Sequence, residues 1–312
     1  MSFTVLMELV FGFLFMILVG FVFSNFGFFS GDFTKKLSRI VLCVLQPFML
    51  FTALTSVPFS VDRLQSGAWV LLLSFAVHAL LGLIGWLFAK PLRDDSERKL
   101  MRFCTMFTNG GFLGFPILSA LLGAQGRFLG AFWVIVFNIL SWTWGLAIMR
   151  KGENGTEKFS WKKLFNFGSV PCLLGMAVYA LQIPIPSFLL QAMTSLGDLC
   201  APLILLIIGA NLQKIQPKRV ILNWKAFYLS AVRLFICPLL VAVVAKFVNL
   251  PAEFATLCLI MSSLPSASMC VMFAEVYDVH PEIASRNVGI VTALSCVSIP
   301  LALTVGQWIL AL

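Results

Sequence analysis

Charge is what this sequence has least of. Only 11% of its residues are Asp, Glu, Lys or Arg, where a soluble domain carries about a quarter. With 60% hydrophobic residues and a mean hydropathy of +0.98, too little polar surface is left to coat a soluble globule of 34.5 kDa. Histidine is nearly missing: His78 and His280 are the two in the chain. The eight cysteines stand singly in apolar runs, with no CxxC and no Cys/His cluster. That spacing argues against metal ligation and against a disulfide framework, and leaves small apolar packing residues. Paired carboxylates inside apolar runs are lacking too, so an intramembrane enzyme would have no nucleophile–base constellation. No cofactor and no metal are expected. A continuous basic face is also absent despite the net charge of +9; the basic residues form short clusters between apolar runs, which speaks against nucleic acid.

What the sequence has in abundance is apolar runs long enough to cross the roughly 30 Å hydrocarbon core. Ten spans are predicted, at about 4–24, 37–58, 67–90, 101–123, 127–149, 165–182, 187–212, 224–248, 253–276 and 283–311. The first run lacks a basic leader, carries Glu8 and has no small-residue cleavage site, so it reads as a span rather than a signal peptide. Of the 22 Lys and Arg, eighteen fall in or beside the odd-numbered loops, three in the even ones, and Arg233 inside a span. Such a bias puts the odd loops in the cytoplasm and both termini outside, in a multi-pass protein of the cell membrane.

The helix breakers repeat. Gln46-Pro47 in the second span is matched by Ala201-Pro202 in the seventh, and Pro116 in the fourth by Pro265 in the ninth. The two prolines are 69 residues apart in the first half (47 to 116) and 63 in the second (202 to 265). Five spans per half is an odd number, so the second half enters the membrane from the other side. The fold class expected is therefore all-α integral membrane, a 5+5 inverted repeat with broken fourth and ninth helices, an architecture of secondary transporters.

The fourth span contains Asn109, Gly110, Gly111, Gly114 and Pro116 in eight residues. Gly costs about 1 kcal/mol and Pro about 3 inside a helix, and in lipid every freed N–H and C=O needs a partner. The ninth span sets Pro265 among Ser262, Ser263, Ser266 and Ser268. Each alone could be a kinked helix. Together, at matched positions, they predict two broken helices whose half-helix N-termini face one cavity, an arrangement that favours a small anion such as a carboxylate. Asn109 and the serines would add neutral donors, so the candidate binding residues here are Asn109, Gly110, Gly111, Gly114, Pro116, Ser263, Pro265 and Ser266.

At these residues the chain resembles the auxin efflux carrier family and its bacterial malonate- or malate-type permeases. Asn109-x-Gly111-Phe112-x-Gly114-x-Pro116 is similar to the family's fourth-helix signature. Leu264-Pro265-Ser266-Ala267 with Ala274-Glu275-x-Tyr277 is similar to its ninth helix, Ala201-Pro202 through Gly209-Ala210-x-Leu212 to its seventh, and Thr292-x-x-Ser295 with Pro300 to its tenth. The resemblance implies a fold like that of bile-acid sodium symporters, with helices four and nine crossing at their prolines. It divides the single transmembrane unit, 1–312, into a scaffold of about 1–66 and 165–222 (spans 1, 2, 6 and 7) and a transport part of about 67–149 and 223–312 (spans 3–5 and 8–10). It further implies an elevator-type movement, an organic acid as substrate, and a homodimer contact through the scaffold helices. The short fifth loop departs from the long loop of many plant members, which favours a dicarboxylate over auxin.

Ionisable residues inside the membrane are functional candidates by default. Arg233 could hold a substrate carboxylate bidentately or snorkel to a headgroup. His78 could relay protons or be a neutral histidine bonded between helices. Glu275 could serve coupling to H+ or Na+, or with Asp278 meet interfacial water. Asp198 would stabilise the scaffold. Asn138 and Asn287 face either the site or a neighbouring helix and are included as binding candidates. Carrier is the reading these features favour; an anion-selective channel or a non-transporting receptor on the same fold is the alternative.

Overall fold

Apolar segments in a bilayer must satisfy their backbone internally, so they fold as helices. The computed structural model describes residues 3–29, 31–150, 169–213, 224–277 and 279–311, and these residues form helices with no β-strand. In chain order they are α1 (Phe3–Asn25), α2 (Gly31–Ile40), α3 (Gln46–Thr55), α4 (Val61–Ala89), α5 (Asp95–Met106), α6 (Phe115–Leu140) and α7 (Leu146–Arg150). There follow α8 (Ser169–Ala180), α9 (Ser187–Asp198), α10 (Cys200–Gln213), α11 (Trp224–Ala231), α12 (Cys237–Phe247), α13 (Ala252–Ser263), α14 (Met269–Val276) and α15 (Pro281–Ala311). Single π-helical turns join several of them: Val41–Leu45, Gly110–Gly114, Ser141–Gly145 and Val232–Ile236.

Six of the described segments are long and apolar enough to cross a membrane: Asp32–Thr55, Val61–Ala89, Gly110–Met149, Ser187–Gln213, Trp224–Phe247 and Pro281–Ala311. Phe11–Asn25, Ser169–Ala180 and Ala252–Ser263 are shorter apolar helices. Within α6 the chain breaks at Gly123, whose φ of 60° and ψ of −148° only glycine adopts without strain. That break falls at the expected boundary between the fourth and fifth spans. Surfaces are apolar: Phe15, Phe188 and Leu72 are each more than 60% exposed. Trp224 and Trp308, at segment ends, are exposed as well, as interfacial tryptophans should be.

The chain forms two compact units of near-equal size. The first comprises 1–72, 111–138 and 160–214, the second 73–110, 139–159 and 215–312. In the first unit α1 packs along α10, and α3 against α8 and α9. The α1–α10 approach is very close because glycine stands on both sides of it. A Cβ on Gly20 would collide with the Leu206 carbonyl, and one on Gly209 with the Ile17 carbonyl. Small residues that let backbones meet are how helices associate without a hydrophobic driving force. Tyr179 tethers the start of α4 in the same unit, its hydroxyl accepting from Ser60 N at 3.0 Å while its ring lies 5.0 Å from Phe128. Asp198 forms an ion pair with Arg127 at 3.7 Å, a contact within this unit.

In the second unit α15 is the central helix, touched by α11, α12, α13 and α14. An aromatic cluster of Phe103, Phe107, Trp142 and Phe273 also belongs to this unit, with ring centroids 4.7 to 5.6 Å apart in its contacting pairs. This unit also holds the chain from α5 to residue 110 and the segment from α13 to α14.

A candidate functional site at a helix crossing

Helix α5 begins at an N-cap, Asp94, whose carboxylate accepts from Glu97 N at 3.0 Å. It ends at Phe107, which is extended at φ −105°, ψ 119°. Asn109 and two glycines follow, residues poor at continuing a helix. In the other broken segment α13 ends at Ser263, and Leu264 is extended at φ −68°, ψ 153°. The cause is local: Pro265 disfavours helical backbone in the residue before it.

The two extended stretches run antiparallel and pair at Thr108 and Ser266. Asn109 N donates to Pro265 O at 2.8 Å, and Ala267 N donates to Phe107 O at 2.9 Å. Each break thus satisfies backbone groups that the other leaves open, which is what allows non-helical chain at membrane depth. Ser266 Oγ donates to Cys104 O at 2.9 Å, covering a carbonyl orphaned at the end of α5. Beside it the Cys104 and Cys270 sulfurs are 3.3 Å apart. The crossing contains one of the two expected prolines, Pro265. Pro116 lies eight residues beyond Thr108, in the first turn of α6, where proline is tolerated.

The serines are committed locally. Ser262 Oγ donates to Leu259 O at 3.0 Å and Ser263 Oγ to Ile260 O at 2.8 Å. Their hydrogens, like that of Ser266, are spent on helix carbonyls. The open polar groups are others. Thr105 and Thr108 are completely buried, and their hydroxyls have no hydrogen-bond partner among the described residues.

Arg233 sits in the π-helical turn Val232–Ile236 between α11 and α12, just ahead of Pro238. Its side chain is 0% exposed, which rules out snorkelling to a headgroup. Apart from a weak contact with the Cys237 sulfur, none of its three guanidinium nitrogens has a hydrogen-bond partner among the described residues. Its electrostatic neighbours are the sulfurs of Cys237 and Cys104, weak acceptors at best. Since Cys104 is also the residue that Ser266 bonds, Arg233 belongs to the crossing. His78 on α4 is within electrostatic reach of Arg233 and donates from Nδ1 to Ser74 O at 2.7 Å.

The structure therefore brings Asn109, Gly110, Ser263, Pro265, Ser266, Arg233 and His78 into one region of the second unit. Asn287, on α15, lies in the same unit but lines a separate hollow with Leu92, Glu97, Met101, Lys225, Leu229, Ile283 and Arg286. Gly111, Gly114, Pro116 and Asn138 belong to the first unit. There a Cβ on Gly111 would come within 2.8 Å of Gln46 Nε2, so the residue marking the repeat in the second span approaches the glycine signature. Glu275 is in the last turn of α14 and its side chain lies outside the described residues, as does Asp278 altogether. Thr105 and Thr108 were not singled out from sequence. Hydroxyls within an apolar run, next to a glycine-rich break, are the signal that could have found them.

Chemically, this is a buried cation with no carboxylate beside it among the described residues, in the unit whose helix crossing also buries two unbonded threonine hydroxyls. The chain matches the family model described as membrane transport protein over residues 5–303. It is 24% identical over 314 residues to a protein of Methanocaldococcus jannaschii named an uncharacterized transporter, covering 97% of this chain and 98% of that one. An uncharacterized transporter of Methanothermobacter thermautotrophicus is also 24% identical, over 94% of this chain and 96% of its own length. Auxin efflux carrier component 7 of Arabidopsis thaliana is 29% identical over 143 residues, which span 43% of this chain and 23% of the plant protein.

Proposed function

We propose, from the premise that the chain belongs to the auxin efflux carrier family of membrane transporters, that it moves a small organic anion bound at the helix crossing. The observation that carries this reading is Arg233. Burying an unpaired ion costs several kcal/mol even after relaxation, and no carboxylate among the described residues compensates it. A substrate carboxylate would supply the missing charge, taking two parallel N–H donors from the guanidinium. Thr105 and Thr108 would donate to its remaining oxygens.

The expected spans make a ten-helix inverted repeat, and the broken helices carry its site. A scaffold of about 1–66 and 165–222 would hold the bilayer and a second protomer, while about 67–149 and 223–312 would move as the elevator. The segments 67–72 and 111–138, which pack in the first compact unit, are where the two divisions differ. His78, close to Arg233, and Glu275 are the candidates for coupling to H+ or Na+. The odd loops face the cytoplasm and both termini the outside in this reading.

Counterflow in proteoliposomes tests it, with a panel of labelled mono- and dicarboxylates and with or without sodium and pH gradients. Saturable exchange of one acid is expected. Arg233→Gln should weaken its half-saturation at least tenfold, about 1.4 kcal/mol, while the variant stays folded because a buried charge has been removed rather than added. No exchange of any acid by folded protein, or unchanged exchange by Arg233→Gln, overturns the reading.

A further inference from the structure

The eight cysteines stand singly along the chain, yet the fold brings two of them together at the crossing. Cys104 lies in the last turn of α5 and Cys270 in the first turn of α14, 166 residues apart. Their sulfurs are 3.3 Å apart, and both residues are 0% exposed. The backbone on both sides is clamped. Ser266 Oγ donates to Cys104 O at 2.9 Å, Ala267 N donates to Phe107 O at 2.9 Å, and Cys270 N donates to Ala267 O at 3.1 Å. Phe107 is three residues beyond Cys104 and Ala267 three residues before Cys270, so the paired breaks hold the two thiols against each other. A cysteine that serves only as a small apolar group needs no second sulfur beside it. A pair already in contact is what a disulfide forms from: the sulfurs have to close by about 1.3 Å, to the roughly 2.05 Å of the bond.

We propose that Cys104 and Cys270 are an oxidation site, closed to a disulfide by a hydroperoxide. Burial selects the oxidant. A bulky disulfide such as oxidised glutathione finds no sulfur surface to attack, whereas hydrogen peroxide is small and uncharged and enters when the crossing opens locally. One thiol attacks a peroxide oxygen. The O–O bond breaks, the sulfur becomes a sulfenic acid, and the other oxygen leaves as water with the thiol proton. The second sulfur then attacks the sulfenic sulfur. The S–S bond forms, the S–O bond breaks, and the oxygen leaves as a second water with the second thiol proton. The two thiols lose two electrons and the peroxide gains them.

Position gives the bond a role, and the role rests on the transport reading. The disulfide staples the end of α5 to the start of α14. Thr105 is the residue after Cys104, and the Cys104 sulfur is an electrostatic neighbour of Arg233. Arg233, Thr105 and Thr108 are each 0% exposed, so an anion reaches them only when the crossing gives way around it. A crosslinked crossing does not give way. Disulfides are rare in reducing compartments, and those found there are mostly catalytic or redox-sensing. The pair is a latch that halts exchange under peroxide.

Hydrogen peroxide treatment of the full chain in phosphatidylcholine proteoliposomes tests the site. Remaining thiols are blocked with N-ethylmaleimide after denaturation, and tryptic peptides are read by mass spectrometry. A Cys258→Ala background keeps the assignment clear, because Cys258 and Cys270 fall in one tryptic peptide. The expected product is a crosslink between the Cys104 and Cys270 peptides, short of two hydrogens, in a protein that melts at higher temperature. Counterflow should fall in proportion to the crosslinked fraction. Cys270→Ala should form no crosslink and keep its counterflow under peroxide, and Cys104→Ala is a second variant with the same expectation. Thiols that stay open to maleimide, or that reach sulfinic acid without a crosslink, overturn the site. A crosslinked protein that exchanges at the untreated rate overturns the latch. If acid exchanges and no crosslink forms, the oxidation site alone falls. If the crosslink forms but the reduced protein exchanges no acid, the oxidation site stands and the transport reading falls.

Discussion

The two compact units are built from equally apolar helices, yet they differ in what they bury. Among the described residues twenty polar or charged side chains are buried, and Thr34, Thr52, Asn138 and Ser169 are the four in the first unit. The other sixteen, among them His78, Arg233 and the serines of the crossing, lie in the second. Helix association in the first unit rests on shape, glycine against carbonyl along α1 and α10. The second unit accepts the desolvation of polar groups, which lowers stability unless each finds a partner. A membrane protein has reason to keep such groups where a ligand completes them. The comparison separates a unit held by close backbone packing from one that buries most of the polar side chains among the described residues.

The largest effect should follow from breaking the packing side. Gly209→Leu would drive a side chain into the Ile17 backbone, which cannot yield as a flexible side chain could. Overpacking commonly costs about 1–3 kcal/mol, and a backbone collision belongs at or above the top of that range. The variant should fail to accumulate as monodisperse protein on size-exclusion chromatography. Normal yield and melting temperature would mean that α1 and α10 are not held by this approach.

Next come the crossing residues, where stability and transport should separate. Pro265→Ala allows Leu264 to return to helix and so should disturb the pairing of Asn109 with Pro265. Asn109→Ala removes a side chain but keeps its backbone bond. Both should insert and fold. Counterflow should fall tenfold or more for Pro265→Ala and severalfold for Asn109→Ala, and near-normal exchange by both would sink the crossover as the binding place.

How much of this was legible beforehand differs between the same two regions. Helix extents were readable from apolar length: α1 runs over Phe3–Asn25 against an expected 4–24, and α15 over Pro281–Ala311 against 283–311. The ninth-helix break was readable because Pro265 constrains Leu264 through local sterics. The fourth-helix break was readable only roughly. It falls at Phe107–Asn109, ahead of the glycines, because the partner strand at Ser266 chooses where pairing happens, and Pro116 is accommodated in a helix start. Arg233 could not be settled from its place in the span, since chain position does not say which face of a helix points inward. The serine hydroxyls looked like ligand donors because a sequence does not display the carbonyls they cap. The approach of Cys104 to Cys270, 166 residues apart, had no sequence signal at all.

The smallest effect should be the most informative. Thr105→Val and Thr108→Val replace a hydroxyl by a methyl of nearly the same volume. In a site built for packing, a buried threonine would be hydrogen-bonded and its loss would cost about 1 kcal/mol. Here both hydroxyls are buried and unbonded among the described residues, so removing them should leave the melting temperature unchanged or slightly raise it. The anion should notice what the fold does not. With Arg233 intact, half-saturation for the exchanged acid should rise about threefold to tenfold for each variant, the worth of one hydrogen bond to a charged group. Thermal unfolding and counterflow on the same preparation give both numbers. If stability falls and transport does not, the threonines are structural, and the contrast between a packing unit and a chemical unit loses its sharpest instance.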